Sequence, residues 1–240
     1  MPSSQSVVPC VDLNENTVAF ADGHRTRIVA HRHSAPGRSQ WVLLEGFLTG
    51  HECDELIELS RGTLQAARVV DAVTRKQSFT AARIGAIGRL FGAEHRSIKR
   101  VEDRIEALTH WPSACFQPLQ VTHYEAGDEF KLHHDFFDPE LPSYRRALSN
   151  KGQRLATLIV YLNDCPAAGT TVFPLLDGSF VSPHRGNALF FSYHGEDGHP
   201  DRRFLHGSTP VAAGEKWIAT TWLCERPQKR DRYLPTVRQM

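Results

Sequence analysis

Short runs of alternating apolar and polar residues dominate the second half of the chain, from Phe116 onward. A period of two places every second side chain on one face of a strand. Glycine and proline interrupt the runs at short intervals, as at Gly127, Pro139 and Gly152. The predicted strands are Phe116–Tyr124, Phe130–Phe137, Leu155–Leu162, Thr170–Phe173, Ser179–Val181, Ala188–Tyr193, Arg203–His206 and Lys216–Cys224. Many short, evenly spaced strands are typical of a sandwich or a jelly roll.

Helical spacing replaces this alternation in parts of the first half. The predicted elements are a strand at Trp41–Gly46, a helix from Thr49 to Gly62, strands within Ala66–Leu90, and a helix from about Ala93 to His110. Thr49 and Glu52 fit a capping box at the start of the first helix. In the second helix, apolar residues lie three and four apart from Ile98 to Leu108, which indicates one buried face. The fold class predicted is mostly β with supporting helices around a jelly-roll core.

The pattern divides the chain into four parts. They are a polar N-terminal extension over residues 1–40 with a candidate strand at Arg27–Ala30, a helical and strand support region over 41–115, a β-rich core over 116–226, and a polar, basic tail over 227–240. We find no internal repeat.

Composition narrows the class of protein. The chain has 240 residues, of which 40% are hydrophobic and 23% charged, with a net charge of +1. This balance suits a globular domain and favours neither a nucleic-acid nor a membrane partner. The five cysteines are scattered without a Cys-x-x-Cys pair, which argues against a disulfide framework and a zinc site. With no signal-peptide pattern and no apolar run of membrane-spanning length, the expected location is the cytoplasm; oligomeric state stays open.

Candidate metal chemistry lies in His133-His134-Asp135. On a strand, His133 and Asp135 share one face, whereas His134 shares the other with Leu132 and Phe136. Two histidines and one carboxylate with open positions suit non-haem Fe(II), so a distant histidine would complete the set. The alternative is that the His-x-Asp motif arose by chance, because the chain has 13 histidines. His134 is expected to pack or to form a hydrogen bond.

His206 is the best candidate for the third ligand, and Lys216 opens a strand ten residues later. Lys216 and Trp222 are predicted to lie on the same inward face of that strand, where a lysine is costly to bury unless it meets an anion such as a dicarboxylate. The alternative is a lysine that reaches water at the mouth of the barrel. Thr157 and Tyr161 also share an inward face and are candidate donors to the same carboxylate, or ordinary strand residues.

Several further motifs follow one another in a fixed order. They are Tyr124-x-x-Gly127, His133-x-Asp135, Arg154-x-x-Thr157-x-x-x-Tyr161-Leu162-Asn163, Gly169-Thr170-Thr171-Val172-Phe173-Pro174, Gly186-x-Ala188-Leu189-Phe190, His206-x-x-x-Pro210-Val211, and Lys216 with Trp222. Over about Trp41 to Arg226 the chain resembles the prolyl 4-hydroxylase branch of the 2-oxoglutarate/Fe(II) dioxygenases.

The resemblance implies a double-stranded β-helix, the cupin-like jelly roll. It implies Fe(II), 2-oxoglutarate and O₂, with ascorbate as a further candidate cofactor. The resemblance implies that His133, Asp135 and His206 ligate Fe(II). It implies that Lys216 pairs with the distal carboxylate of 2-oxoglutarate, helped by Tyr161 or Thr157. Tyr124 would contact the cosubstrate, and Trp222 would form a wall of the pocket. The implied reaction hydroxylates a substrate while 2-oxoglutarate loses CO₂ to become succinate.

The resemblance also bears on which substrate the protein binds. The chain departs from the family at Arg83-Ile84-Gly85 and at Phe191-Ser192, two places that bear on which substrate is held. The leading interpretation is hydroxylation of a prolyl residue in a peptide or protein, and the alternative is a free amino acid or a small metabolite derived from one. Candidate substrate residues are Arg83, Tyr144 and Arg154, the first two in segments that flank the site. An inactive jelly-roll binding module is disfavoured, since all three ligands and the lysine are present.

Overall fold

The computed structural model describes residues 8–33, 39–66, 69–70, 77–78, 85–90, 95–195 and 199–228. Upstream of the core, the strands are β1 (Thr17–Ala19), β2 (Arg25–His33), β3 (Gln40–Glu45), β4 (Gln65–Ala66), β5 (Val69–Val70), β6 (Gln77–Ser78) and β7 (Ala86–Leu90). The helices there are α1 (Gly50–Arg61) and α2 (Arg96–Thr109), and a short 3₁₀ helix spans Ser113–Cys115. None of the helices within these ranges is long and apolar enough to cross a membrane.

Eight strands form the core. They are β8 (Leu119–Tyr124), β9 (Phe130–His133), β10 (Arg154–Tyr161), β11 (Thr171–Phe173), β12 (Ser179–Val181), β13 (Ala188–Ser192), β14 (His206–Ser208) and β15 (Lys216–Cys224). Between β9 and β10 lie a 3₁₀ helix at Pro142–Tyr144 and α3 (Arg145–Lys151), and a 3₁₀ helix at Arg202–Phe204 precedes β14. The predicted elements are therefore largely confirmed, including the strand near Arg27.

Two antiparallel sheets face each other. The larger has nine strands in the order β1-β2-β3-β13-β10-β15-β8-β7-β4, and the smaller has four in the order β12-β11-β14-β9. The core strands are thus shared between two packed sheets, which is the jelly roll predicted from the sequence. Strands β1 to β3 extend the larger sheet beyond β13, so much of the described N-terminal extension belongs to that sheet.

Side-chain alternation on β10 divides the interior into two hydrophobic clusters. Leu158 and Val160 point into a cluster that α1 and α2 close from outside, through residues such as Leu56 and Ile105. Ile159, one residue away, points into the second cluster, between the two sheets. The helices therefore cover one face of the larger sheet, and the other face is left to form the wall of a pocket.

Two predicted strands have different bounds in the structure. The strand predicted at Phe130–Phe137 ends at His133, so Asp135 lies in the loop that follows. The strand predicted at Arg203–His206 is wrong, because the Asp201 side chain accepts a hydrogen bond from the Arg203 backbone N–H and caps a 3₁₀ helix. The strand begins at His206 and continues through Gly207, where a Cβ would lie 2.7 Å from the Phe130 carbonyl oxygen. Glycine permits this close approach of β14 to β9.

A buried ion pair joins the two long helices. The Glu52 carboxylate closes the predicted capping box with Thr49, and it also accepts bonds of 2.9 and 3.0 Å from the Arg104 guanidinium. Burial raises the pKa of Glu52, but the Thr49 backbone N–H and the Arg104 and Arg100 side chains outweigh it and lower the pKa to about 2. Arg104 also donates to the Phe47 carbonyl and to Asp22. This network fixes α2 against the start of α1.

We expect Arg104→Met to lower the free energy of unfolding by about 3–5 kcal/mol, because it leaves a buried carboxylate without its main partner. Arg27→Met is the matched control, since the Arg27–Glu45 pair is exposed and is worth at most about 1 kcal/mol. Glu52 has a depressed pKa, so its stabilising contribution is present above pH 4.5 and is lost as the pH falls toward 2. Urea unfolding at several pH values measures both effects. Equal losses of unfolding free energy in the two variants would contradict a stabilising role for the buried Arg104–Glu52 pair.

Candidate active site

Three side chains of the predicted metal site converge between the sheets. β9 and β14 are paired so that His133 lies opposite His206, and Asp135 follows two residues later. The Nε2 atoms of His133 and His206 lie 3.5 and 3.4 Å from the Asp135 carboxylate oxygens. One potential ligand atom from each residue lies within 4.8 Å of the others. The structure therefore brings the two same-face residues and the distant histidine together.

Hydrogen bonds orient both imidazoles. The Nδ1 atoms of His133 and His206 lie 2.9 Å from the carbonyl oxygens of Lys131 and Phe204. Because a carbonyl oxygen only accepts, Nδ1 carries the proton and Nε2 presents a lone pair to the cluster. Two oriented imidazoles and a carboxylate match the donor set that suits non-haem Fe(II), so these residues fit that metal.

Burial and mutual charge set the protonation of the cluster. Burial lowers the pKa of His133, and the neighbouring His206 lowers it further. Burial alone would raise the pKa of Asp135, but His206 and His133 hold it well below its usual range. At neutral pH the carboxylate is ionised and His133 is neutral, which are the forms that ligate a metal.

A buried lysine lies at the other end of the same pocket. The Lys216 Nζ donates to the Gly169 carbonyl oxygen at 2.6 Å and to the Ser208 Oγ at 2.8 Å. Among the described residues these bonds use two of the three ammonium hydrogens, which leaves one for a ligand. Burial lowers the Lys216 pKa to about 7, against a small raising effect from Cys165. The sequence expectation of an inward lysine is confirmed.

The pocket connects this lysine with the histidines. Ser208 follows His206 by two residues on β14, so the two ends of the pocket are close. The lining residues are Gln120, Tyr124, Phe130, His133, Asp135, Ile159, Thr171, His206, Gly207, Ser208, Lys216, Ile218, Thr220 and Trp222. Trp222 lies on the wall, as the resemblance implies, and Tyr124 lies on the wall as well. A space with a metal donor set at one end and a cation at the other suits a dicarboxylate that also reaches the metal.

Comparisons with known proteins identify the family. The family model described as the 2OG-Fe(II) oxygenase superfamily matches residues 119–224. The probable prolyl 4-hydroxylase 6 of Arabidopsis thaliana is 35% identical over 200 residues, which cover 75% of this chain and 67% of that protein. The chain belongs to the 2OG-Fe(II) oxygenase superfamily. A second Arabidopsis thaliana protein, the probable prolyl 4-hydroxylase 3, is 34% identical over 195 residues, 74% of this chain and 66% of the relative.

The solved structures agree with this membership. A viral collagen prolyl hydroxylase from Paramecium bursaria Chlorella virus-1, in its 2OG complex, is 26% identical with a TM-score of 0.56. The match covers 76% of this chain and 94% of that one. The chain spans about two thirds of the length of the curated relatives it matches, between 61% and 69%.

Thr157 contacts a metal ligand, whereas the prediction had it beside Lys216. Its Oγ1 donates to the Asp135 Oδ2 at 2.7 Å and lies 3.2 Å from the Tyr193 hydroxyl. Thr157 therefore orients a metal ligand, away from the Lys216 end of the pocket. Tyr161 donates to the Thr171 Oγ1 at 2.8 Å, and Thr171 itself lines the pocket. The sequence signal for Thr171 was its inward position on β11, two residues before the buried Phe173.

Arg154 and Tyr144 also contact protein groups beside the metal ligands. The Arg154 guanidinium donates to the Asp135 carbonyl oxygen at 3.1 Å and to the Gln117 Oε1 at 2.8 Å. It lies 4.0 Å above the Trp222 ring and 5.0 Å from the Phe137 ring. The Tyr144 ring lies 5.5 Å from the same Phe137 ring. Arg154 thus holds the loop that carries Asp135, whereas Arg83 falls outside the described residues.

The family departure at Phe191-Ser192 lies in the core beneath the site. Both residues are fully buried. The Phe191 ring packs edge-on against the His206 ring at 4.9 Å, and the Ser192 Oγ accepts a hydrogen bond from the Gln40 backbone N–H at 3.0 Å. The side chains of this pair are therefore occupied within the core, and its bearing on the substrate stays a prediction.

His134 points away from the metal ligands. Its Nε2 donates to the Arg202 carbonyl oxygen at 3.0 Å, and its ring lies 4.6 Å from that of Phe136. The prediction that His134 packs or forms a hydrogen bond is confirmed.

The Thr157 contact makes a measurable prediction. Thr157→Val removes the donor to Asp135 at nearly constant volume, and loss of such an outer contact lowers metal affinity roughly 10- to 100-fold. Thr157→Ser keeps the hydroxyl and is expected to bind metal as the parent does. Competition with a chelator for Mn(II) gives both constants; parental affinity in the valine variant would assign Thr157 a packing role only.

Proposed function

We propose that this protein is an Fe(II)- and 2-oxoglutarate-dependent hydroxylase of a prolyl residue in a peptide or protein. The observation that carries the proposal is a single pocket with His133, Asp135 and His206 at one end and the buried Lys216 at the other. Relatives named prolyl 4-hydroxylases over three quarters of the chain support the choice of prolyl substrate.

Each end of the pocket has a distinct task. His133, Asp135 and His206 would hold Fe(II). When bound with 2-oxoglutarate and O₂, the iron supplies the oxidation that places one oxygen atom in a C–H bond of the substrate, with the other in succinate as CO₂ leaves. Lys216 would bind the distal carboxylate of 2-oxoglutarate.

Neutral groups complete that carboxylate site. Because Thr171 accepts a hydrogen bond from Tyr161, its own hydroxyl hydrogen remains for the cosubstrate. Tyr161 therefore acts through Thr171, and Tyr124 lies beside Lys216, whose Nζ is 5.3 Å from the Tyr124 ring. This arrangement replaces the predicted help from Thr157.

The substrate is tested with a panel of proline-containing peptides, free proline and other free amino acids. Mass spectrometry scores the gain of one oxygen, and succinate release is measured in parallel. Oxygen gain in peptides alone supports the proposal, whereas gain in free amino acids alone supports a small-molecule hydroxylase. Absence of succinate release with every compound and with no substrate would contradict 2-oxoglutarate chemistry altogether.

The pH dependence of cosubstrate binding tests the role of Lys216. Its pKa in the free protein is about 7, and a bound carboxylate raises that pKa by favouring the charged form. Below pH 7 the lysine is already charged; above it, binding must take up a proton. We therefore expect 2-oxoglutarate affinity to fall up to about tenfold per pH unit above 7. Calorimetry in two buffers of different ionisation enthalpy detects the proton, and Lys216→Arg should bind with no such uptake.

A further inference from the structure

Unpaired positive charge concentrates on the surface around α3. Exposed arginines elsewhere commonly have a carboxylate partner, as in the Arg27–Glu45 and Arg185–Asp54 pairs. A single unpaired cation is ordinarily solvated, whereas several side by side produce a positive field that attracts anions. The basic α3 surface consists of exposed side chains that have no ion pair among the described residues, namely Arg145, Arg146, Lys151 and Arg226.

The acidic side chains near α3 already have partners. The Arg202 guanidinium donates to the Asp138 Oδ2 at 3.0 Å and to the Glu140 Oε2 at 3.3 Å. The Glu225 carboxylate accepts a hydrogen bond from the Gln153 backbone N–H at 3.1 Å. The basic α3 surface is therefore not paired with carboxylates of its own neighbourhood, and its charge is available to an anionic partner.

Hydrogen bonds hold α3 beside the candidate metal ligand Asp135. The Gln153 side chain, which follows α3, accepts from the Phe137 backbone N–H at 2.8 Å and donates to the Phe137 carbonyl oxygen at 2.7 Å. The Arg226 guanidinium donates to the Ser149 carbonyl oxygen at 3.0 Å, which attaches its charge to α3. The position of the surface relative to the metal ligands is thus fixed at both ends of the segment.

A row of stacked side chains connects the pocket with α3. The Arg154 guanidinium lies 4.0 Å above the ring of Trp222, which lines the pocket. Phe137 lies 5.0 Å from that guanidinium, and Tyr144, immediately before α3, lies 5.5 Å from Phe137. An extended peptide advances about 3.3–3.6 Å per residue. A residue roughly three to five positions from one held in the pocket would therefore reach α3.

The carboxylates of aspartate and glutamate suit this surface. Arginine and lysine donate charge-assisted hydrogen bonds to carboxylates, and arginine commonly forms two at once. A peptide with a prolyl residue in the pocket would carry its flanking side chains as far as α3, whereas a free amino acid would not. The net charge of the whole chain is only +1, which favours a local anionic contact over general affinity for nucleic acid.

We propose that the basic α3 surface recognises aspartate or glutamate residues that flank the hydroxylated proline of a peptide substrate, an inference that rests on the proposed function. Its side chains position the peptide away from the reacting atoms. The substrate class is therefore an acidic, proline-containing peptide and not a neutral one.

Turnover of matched peptides tests this surface. The peptides share one sequence around a proline and differ only in glutamate or glutamine about three to five residues away, on the N-terminal or the C-terminal side. An exposed ion pair contributes up to about fivefold. We therefore expect kcat/KM to be about 5- to 25-fold higher for a glutamate peptide on at least one side, and the preference should shrink in about 0.5 M NaCl.

A charge-neutral variant assigns the preference to α3. Arg145→Gln combined with Arg146→Gln should lower the glutamate-to-glutamine ratio of kcat/KM by about threefold or more. Arg25→Gln combined with Arg96→Gln is the matched control, because it removes the same charge at exposed arginines of β2 and α2 that also have no ion pair among the described residues. The control should keep the parental ratio. Melting temperatures of both variants should equal that of the parent.

The outcomes are distinct. Equal kcat/KM for glutamate and glutamine peptides on both sides of the proline would overturn the recognition surface. A parental ratio in the Arg145/Arg146 variant would also overturn it, as would an equal fall in the control, which reflects net charge alone. Binding of a single-stranded oligonucleotide that this variant loses, without any peptide preference, would assign the surface to nucleic acid instead. Failure of every peptide to gain oxygen would reject the proposed prolyl function itself, whereas turnover of the glutamine peptides without a preference rejects only the surface.

Discussion

Replacing His206 with alanine is expected to abolish tight Fe(II) binding and all hydroxylation. The Nε2 of His206 lies 3.4 Å from the Asp135 carboxylate and opposite His133, so its loss leaves two ligands where three are needed. Since even an outer contact of a metal ligand is worth 10- to 100-fold, removal of the ligand itself should cost more than about a hundredfold in affinity. Metal content after dialysis and Mn(II) titration measure the loss.

His134→Ala is the matched control for this variant. It removes the adjacent histidine, whose Nε2 bonds the Arg202 carbonyl oxygen and not the metal ligands. We expect metal affinity within roughly tenfold of the parent. Because the His206 ring packs against Phe173 and Phe191, His206→Leu, which refills the space without a ligand atom, separates ligation from packing. Full iron occupancy in His206→Ala would refute the three-residue site.

Lys216→Met should raise the 2-oxoglutarate KM by about 30-fold or more, because loss of one partner of a buried charge pair costs several kcal/mol. The effect should fall mainly on KM, since the interaction is made in the ground state as well as the transition state. Lys131→Met, at an exposed lysine paired with Glu129, is the matched control and should leave KM unchanged. An unchanged KM in Lys216→Met would move the distal carboxylate to another cation, with Arg154 the next to test.

The same substitution should stabilise the free protein. Burial lowers the Lys216 pKa to about 7, so the unfolded chain binds a proton between pH 7 and 10.5 that the folded chain does not. Stability therefore rises with pH across that window, and Lys216→Met removes the dependence. Higher stability together with weaker cosubstrate binding is the combination expected of a site kept for function. Thermal unfolding at pH 7 and pH 9 measures it.

Local patterns in the sequence determined most of the secondary structure. The capping box at Thr49 and Glu52, the stop at Gly62 and the apolar stripe of α2 all appear in the structure. Strands β12 and β15 have the bounds predicted for them. These features depend on contacts between residues close in the chain, or on which face is apolar, and both can be read from spacing alone.

Alternation also determined which side chains point inward. The candidate metal ligands and Lys216 are among these inward side chains. Alternation puts His133 and Asp135 on one face of a strand, and Lys216 and Trp222 on one face of another. The motif resemblance then selected His206 among the 13 histidines. The alternation nonetheless overran the end of β9, which stops at His133. It also started β14 too early, because a 3₁₀ helix capped by Asp201 precedes that strand.

Only the tertiary structure decided which inward residues meet. Thr157 and Tyr161 share a face of β10, yet Thr157 bonds Asp135 and Tyr161 bonds Thr171. Gln120 and Thr220 likewise lie side by side because β8 and β15 pair in one register. The physical reason is that a strand fixes the direction of its own side chains through its pleat, whereas their partners depend on register across the sheet and on packing between sheets, which join residues far apart in the chain.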